Sequence, residues 1–412
     1  MPMLLLIKRL CLVVAAVFAV ATSLSYRLGK VGPDDFIDNR RPVADIEPTD
    51  WKKLDSDDWF RLAENNDQLD KKREYALNAL ATDLTSGKAA VRFANVLLQT
   101  GSANQAEQVG DLAARLATAQ NNTQVQLATL WSKLAKENKL IETWNILLTR
   151  DQELRKSLFP HLRKLIFTPG KEHLFDKFAT TESQWWPSFF IFLAQDKQTP
   201  LPVLARLYNL PNTAKQAPTE NENKAYISRL IEEKQWQDAR NVWFKSLPTE
   251  LSSYQGLVFD GGFEGDQVNS GFNWYLTSNK QVKIQQELTF GMEGHHALHI
   301  NFIGSPRFNF QNIWQRLVLE PGHYELGFRY RAERFRTTKG LQWRIICIDD
   351  NKLLAESPII LANPTWKPLQ IEFDVPSNCP VQYLRLEATS RYAHEQVFSG
   401  DLWLDAVRIN KK

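Results

Sequence analysis

The chain has 412 residues, 43% of them apolar, and a formal net charge of +3. That length fills two or more cores, and so small a charge gives no general attraction to nucleic acid or membrane surfaces. A mean hydropathy of −0.38 excludes a polytopic membrane protein.

The amino terminus differs in character from the rest. MPMLLLIKRLCLVVAAVFAVATSLSYR sets Lys8 and Arg9 before an unbroken apolar and small-residue run from Leu10 to Leu24. A basic flank followed by such a run is an export signal. It is shorter than the roughly 20 residues of a comfortable span, and Ala19-Val20-Ala21 offers a cleavage site. A cleaved signal and an uncleaved inner-membrane anchor through residues 4–24 both fit residues 1–27. Cys11 lacks the small residues that a lipoprotein signal places before it. The remainder of the chain is therefore expected outside the cytoplasm, in the periplasm. In that oxidising setting Cys347 and Cys379 are expected to pair. Residues 28–50 mix Pro, Gly and Asp without a period and read as a tether.

From residue 51 to 251 the pattern is helical, with strong helix formers, few glycines and apolar residues spaced by three and four. AAVRFANVLLQTGSANQAEQVGDLAARLAT reads as two antiparallel helices meeting at Thr100-Gly101. QLATLWSKLAKENKLIETWNILL repeats the form with its turn placed at Asn138, 37 residues on. AYISRLIEEKQWQDARNVWFKSLP turns near Lys234. These units resemble tetratricopeptide repeats in their small residues Ala106, Ala113 and Ala239 and in the closing Pro248. Trp131 and Thr143 depart from that pattern. The resemblance implies an α-solenoid whose concave surface takes a protein partner. The aromatic run Glu182 to Pro200 fits a buried helix pair better than an exposed patch.

From residue 254 to 412 the period changes to two. Tyr324, Leu326, Phe328 and Tyr330 alternate with Glu325, Arg329 and Arg331, and similar strands follow from Leu341, Leu369, Val381 and Asp401. Turn signals lie at Pro321-Gly322, Asp349-Asp350-Asn351 and Asn363-Pro364. The expected fold class is thus multidomain α + β, an N-terminal helical-repeat solenoid followed by an antiparallel β-sandwich jelly roll. The succession FDGGFE, GFNW, EGHHALHINF, LEPGHYELGFRYR, PTWKPLQIEFDVP and GDLWLDAVRI resembles carbohydrate-binding modules of the galactose-binding-like jelly-roll class. That resemblance implies polysaccharide binding and a structural calcium between the first and last strands, held by Asp260, Glu264 and Asp405.

For glycan contact the aromatic candidates are Trp274, Tyr275, Trp314 and Tyr392, since pyranose faces stack on rings. The planar polar candidates are Arg329, Arg331, Gln342 and Arg344. Trp343, Trp366 and Trp403 are expected in the core. His295, His296 and His299 read as a solvated strand end, because His296 points away from the other two. There is no H-E-x-x-H, no G-x-S-x-G and no phosphate-cradling loop, so a non-catalytic protein is expected. The domain pairing resembles accessory proteins of exopolysaccharide assembly, which implies a periplasmic scaffold. A polysaccharide hydrolase or lyase and a protein-only envelope adaptor are the alternative readings.

Overall fold

The computed structural model describes residues 54–412, apart from 118, 182, 214–216, 305–308, 390, 391, 393 and 394. The export segment and tether lie outside the described residues. The chain divides into two compact units. One comprises the residues up to Leu193 together with Thr199–Ala217, and the other comprises Ala194–Gln198 with Pro218–Lys412.

The first unit holds α1 (Ser56–Glu64), α2 (Leu69–Thr82), α3 (Gly87–Gln99), α4 (Ala103–Leu116), α5 (Asn121–Lys133), α6 (Glu137–Arg150), α7 (Gln152–Ile166), α8 (Asp176–Ala179), most of α9 (Trp186–Gln195) and α10 (Leu201–Thr213). Among the described residues, three of the starts carry side-chain caps, Asp55 on the Asp58 N–H, Ser86 on the Ala89 N–H and Asp151 on the Glu153 and Leu154 N–H groups, which satisfy N–H groups that the helix itself cannot. The helices pair as α1–α2, α3–α4 and α5–α6, and α3 also packs on α5.

The hairpin turns share one geometry. Ser102 N–H donates to the Leu97 carbonyl at 2.8 Å, and Lys136 N–H to that of Trp131 at 2.9 Å. The residue before each donor, Gly101 or Ala135, has positive φ, which makes both turns Schellman motifs. The second turn therefore sits at Ala135 and not at Asn138, which lies inside α6. An asparagine near a helix break draws the eye, but here the left-handed position is filled by alanine. Three long-range side-chain tethers also keep a near-constant spacing along the chain. Arg92 reaches Asp57 across 35 residues, Lys139 reaches Glu107 across 32, and the Arg206 guanidinium donates to the Glu172 carbonyl across 34.

Trp131 occupies a site where a small residue was expected, and the structure shows how it fits. A Cβ on Gly110 of α4 would lie 2.5 Å from its ring, so the volume added on one helix is removed from the other. The aromatic run is buried as expected: Trp185, Trp186, Phe189 and Phe190 all lie in the core.

The second unit begins with a helix pair, α11 (Glu220–Glu232) and α12 (Trp236–Lys245). Its turn repeats the motif, with Lys234 at positive φ and Gln235 N–H on the Leu230 carbonyl. After a 3₁₀ turn at Thr249–Tyr254 come β1 (Tyr275–Leu276), β2 (Val282–Glu287), β3 (Ala297–Phe302), β4 (Ile313–Leu317), β5 (Gly322–Thr337), β6 (Leu341–Cys347), β7 (Leu353–Glu356), β8 (Asn363–Val375), β9 (Gln382–Ala388) and β10 (Phe398–Lys411). They form two antiparallel five-stranded sheets, ordered β1-β4-β9-β6-β7 and β2-β3-β10-β5-β8. Asn363-Pro364, expected as a turn, opens β8 instead, a strand start where proline's missing N–H is tolerated.

Tyr324, Leu326, Phe328 and Tyr330 all point into the core, as the alternation requires. Trp274 and Trp343 meet there with ring centroids 5.7 Å apart. The opening stretch is sewn to the final strand. Val407 N–H donates to the Gly261 carbonyl at 2.8 Å, and a Cβ on Gly261 would lie 1.8 Å from the Val407 carbonyl oxygen. Cys347 and Cys379 form the expected disulfide, with Cα atoms 5.7 Å apart.

Two tests follow from this packing. Helix propensity favours Gly110→Ala by up to about 1 kcal/mol, whereas overpacking against Trp131 costs about 1–3 kcal/mol; urea unfolding should show a net loss. Reducing the disulfide, which closes a loop of sequence separation 32, should cost about 4 kcal/mol in the chain-entropy model, seen as a lower unfolding midpoint in dithiothreitol.

Candidate functional site

The outer face of the sheet β1-β4-β9-β6-β7 carries one continuous cross-strand row. Strand register sets Tyr275 opposite Trp314, Trp314 opposite Arg385, Arg385 opposite Arg344, and Arg344 opposite Glu356. Flanking this row, Arg316 faces Tyr383 and Gln342 faces Glu387. Because side chains alternate faces along a strand, the intervening Ile313, Leu384, Leu386, Trp343 and Ile345 fill the core.

At the β1 end the row is aromatic. Tyr275 and Trp314 stack with centroids 3.8 Å apart and planes 5° from parallel. Tyr383 meets Trp314 edge-on at 5.1 Å, and the Arg316 guanidinium lies 5.7 Å from the Trp314 ring centre. Toward β7 the row becomes ionic. Arg385 and Arg344 would repel as direct neighbours, but Glu387 sits between them and pairs with both, and Arg344 also pairs with Glu356 at 2.8 Å. The face therefore holds three guanidiniums against two carboxylates in this cluster.

The sequence candidates separate onto different parts of the unit. Tyr275, Trp314, Gln342 and Arg344 come together here. Trp274 does not: it is fully buried, and its indole N–H donates to the Asp260 carbonyl at 2.9 Å. Tyr392 is 65% exposed in the connection between β9 and β10, outside the row. Arg329 and Arg331 lie on the opposite sheet and are occupied there. Arg331 stacks 4.3 Å over Trp403 and donates to the Phe290 carbonyl and Thr289 Oγ1. Arg329 donates to the Gly291 carbonyl and pairs with Glu293. Together they clamp the 289–293 loop.

Of the tryptophans expected in the core, Trp343 lies there, Trp403 is buried but on this second outer face, and Trp366 lies on that face without being fully buried. Trp366 is half-buried beneath both arginines, and Trp403 stacks on His299 at 4.6 Å. His299 is accordingly no solvated strand end; it lies between Glu287 and Asp401. Burial pushes the Asp401 carboxyl up, but hydrogen bonds from Asn301 and His299 outweigh it and leave it below the usual range. Sequence reasoning missed Arg316, Tyr383, Arg385 and Glu387. The signal was present in YLRLEA, where Tyr383, Arg385 and Glu387 share the period-two face opposite Leu384 and Leu386.

Asp260, Glu264 and Asp405 lie in one region, lining a cavity of about 430 Å³ at the junction of the opening stretch and β10. Their oxygens accept N–H groups. Asp260 takes those of Glu264 and Gly265 and the Gln267 amide. Glu264 takes those of His295 and His296, and Asp405 those of Glu293 and Ala406. Among the described residues no group of three or more His, Cys, Asp or Glu side chains is placed to hold a metal ion. As arranged, all three cap backbone N–H groups of the surrounding loops.

Burial pushes the Asp260 carboxyl up to about 6, against the pull of its three hydrogen bonds, and raises Asp405 as well. A carboxyl whose folded pKa exceeds its unfolded value binds its proton more tightly when folded, so its contribution to stability falls as pH rises from about 4 to about 6. Relative to Asp260→Asn, the wild-type chain should gain about 1 kcal/mol on going from pH 7 to pH 5. Urea unfolding of both proteins at the two pH values checks this; parallel pH dependence would contradict the shift.

No protein-family model matches the chain, and no curated protein matches it. Among solved structures the sandwich is similar to a module described as "CBM4 structure and function", at 13% identity over 38% of this chain and 99% of that one, with a TM-score of 0.29. It is also similar to the CBM22-1 xylan-binding domain of Paenibacillus barcinonensis Xyn10C, at 14% identity over 37% and 91% of the two chains, with a TM-score of 0.26. A third is TmCBM61 in complex with β-1,4-galactotriose, at 17% identity over 38% and 99%, with a TM-score of 0.25.

Proposed function

We propose that the chain binds polysaccharide on the outer face of the sheet β1-β4-β9-β6-β7, as a non-catalytic module. The observation that carries this is the unbroken row from Tyr275 and Trp314 to Arg385, Arg344 and Glu356. Pyranose C–H faces are apolar and pack on aromatic rings. Ring hydroxyls need planar donors and acceptors held in place, which the partly exposed Arg344, Arg385 and Glu356 supply, with the buried Glu387 holding the two arginines. A row that is aromatic at one end and polar at the other meets both needs along one line, a form suited to several linked sugars. The excess of one positive charge on the face favours a polymer that carries carboxylates.

Around this module we place a wider reading. The helical hairpins serve as a protein-binding scaffold, and the apolar segment at residues 4–24 directs the chain to the periplasm, where it takes part in exopolysaccharide assembly or export. The export reading rests on Lys8, Arg9 and the run that follows them. The scaffold reading rests on helix pairs that bury their faces by packing on one another.

Affinity gel electrophoresis tests the binding with alginate and polygalacturonate as acidic polymers, and with xylan and β-glucan as neutral ones. Retardation by an acidic polymer is expected, weakening with salt because exposed charge pairs are screened. Trp314→Ala should weaken it at least tenfold, about 1.4 kcal/mol. Migration unaffected by any of these polymers, or retardation indifferent to Trp314, would overturn the assignment.

A further inference from the structure

The aromatic end of the row does not stand on the sandwich alone. Tyr275 Oη and the Arg316 guanidinium both donate to one acceptor, the carbonyl of Gly271, at 3.4 and 3.0 Å. Gly271 is held at φ +60°, in the left-handed region. The loop's own hydrogen bonds join Asn269 to the Leu276 backbone and Asn273 N–H to the Ser270 carbonyl, and one further contact covers the glycine itself. That contact comes from a helix. The indole of Trp243, on α12, covers Gly271 so closely that a Cβ there would lie 2.3 Å from both Cδ1 and Nε1. Trp243 is itself buried, edge-on to Phe259 at 4.7 Å and beside Phe272 at 5.9 Å.

The same helix pair touches the sandwich at two further points. Arg240 donates to the Gly256 carbonyl at 2.8 Å. Lys234, in the α11–α12 turn, pairs with Asp349 just after β6 at 2.6 Å. The Lys234 pair is exposed and contributes little by itself. Its value is geometric, because with Trp243 it ties the helix pair to two places along the same sheet, one before β1 and one after β6.

We infer that Trp243 is a positioning residue for the polysaccharide-binding face, acting through the Gly271 carbonyl on Tyr275 and Arg316. The inference rests on the function proposed for that face. It makes α11 and α12 part of the binding unit although their sequence reads as the last of the helical hairpins. Nothing in the repeat pattern distinguishes Trp243 from an ordinary inward-facing helix residue; only its contact with a left-handed glycine does.

The test uses the full chain. Trp243→Leu removes the indole from Gly271, and Trp243→Phe retains a ring there. Three quantities are read: the thermal unfolding midpoint, retardation by the polymer that the wild type binds, and the fluorine NMR resonance of Trp314 in protein labelled with 5-fluorotryptophan. Trp314→Phe assigns that resonance. A shifted Trp314 signal and at least tenfold weaker retardation in Trp243→Leu, with partial recovery of both in Trp243→Phe, are expected. A lower midpoint with the Trp314 resonance and affinity of the folded protein unchanged would overturn the inference, since that is what a merely structural tryptophan would do. If Trp243→Leu does not fold, the Phe variant is read alone: a displaced Trp314 resonance with weaker retardation supports the link, and wild-type values for both overturn it. Should the wild type bind no polymer, the function assigned to the face fails, while the Trp314 resonance still decides whether Trp243 controls its geometry.

Discussion

The sandwich depends on one close approach between its two ends. Gly261 lies against the Val407 carbonyl with no room for a Cβ, and its own carbonyl takes the Val407 N–H. The segments around this contact then need capping, because Asp260, Phe263 and Ala406 all adopt positive φ without being glycine, a conformation that is strained for such residues. Asp260, Glu264 and Asp405 supply the caps with their carboxylate oxygens. Closing the fold this way buries charge, which is why the Asp260 carboxyl is pushed up to about 6. The stretch FDGGFEGDQVNSGFNW thus concentrates glycine, acids and aromatics because it must approach the last strand, cap its own turns and fill the core with Trp274.

The same closure directs the next loop. Beyond Phe263 the chain passes through Asn273, whose side chain accepts from the Trp274 N–H at 2.6 Å, and enters β1 with Tyr275 facing outward. Trp274 and Tyr275 are adjacent, yet one is a core residue and the other a surface platform. Period-two alternation requires such a split, and it shows why an aromatic pair in sequence cannot be treated as one binding feature. On the other side of β1, the Gln315 side chain exchanges two hydrogen bonds with the Phe259 backbone. The site strand β4 is therefore pinned to the segment that closes the fold.

Much of this was readable from composition and period. The change from spacing of three and four to spacing of two located the helical and β regions, and the alternation in Tyr324–Arg331 gave the correct inward residues. The Cys347–Cys379 pair was legible because few cysteines were available to pair. Other features depend on partners distant in sequence. Trp131 looks like a broken repeat until Gly110 is seen against it. Trp403 and Trp366 read as core because nothing local shows that Arg331 and Arg329 will cover them. The second hairpin turn was misplaced because Asn138 is the more conspicuous turn residue, whereas the surrounding helices force Ala135 into the left-handed conformation.

The two outer faces show why residue type alone does not locate a binding surface. Both carry arginines beside aromatics on neighbouring strands. On the sheet β2-β3-β10-β5-β8, the His299 ring lies against Trp403 and the Arg331 guanidinium over both Trp403 and Trp366, so ring faces that a sugar would need are covered by the protein's own groups. The guanidinium donors are likewise directed to the carbonyls of the 289–291 loop. On the sheet β1-β4-β9-β6-β7, the charges of Arg344 and Arg385 are balanced by Glu387 and Glu356 within the sheet plane, and no loop is fastened across them by their guanidiniums among the described residues. Here too Tyr275 stacks on Trp314, Arg316 lies over the ring, and Gln342 and Glu387 are buried. By contrast, the ion pairs of Arg344 and Arg385 lie within the sheet and leave Arg344, Arg385 and Glu356 partly exposed. The difference lies in where each strand's neighbours point, which is set by register and cannot be counted from composition.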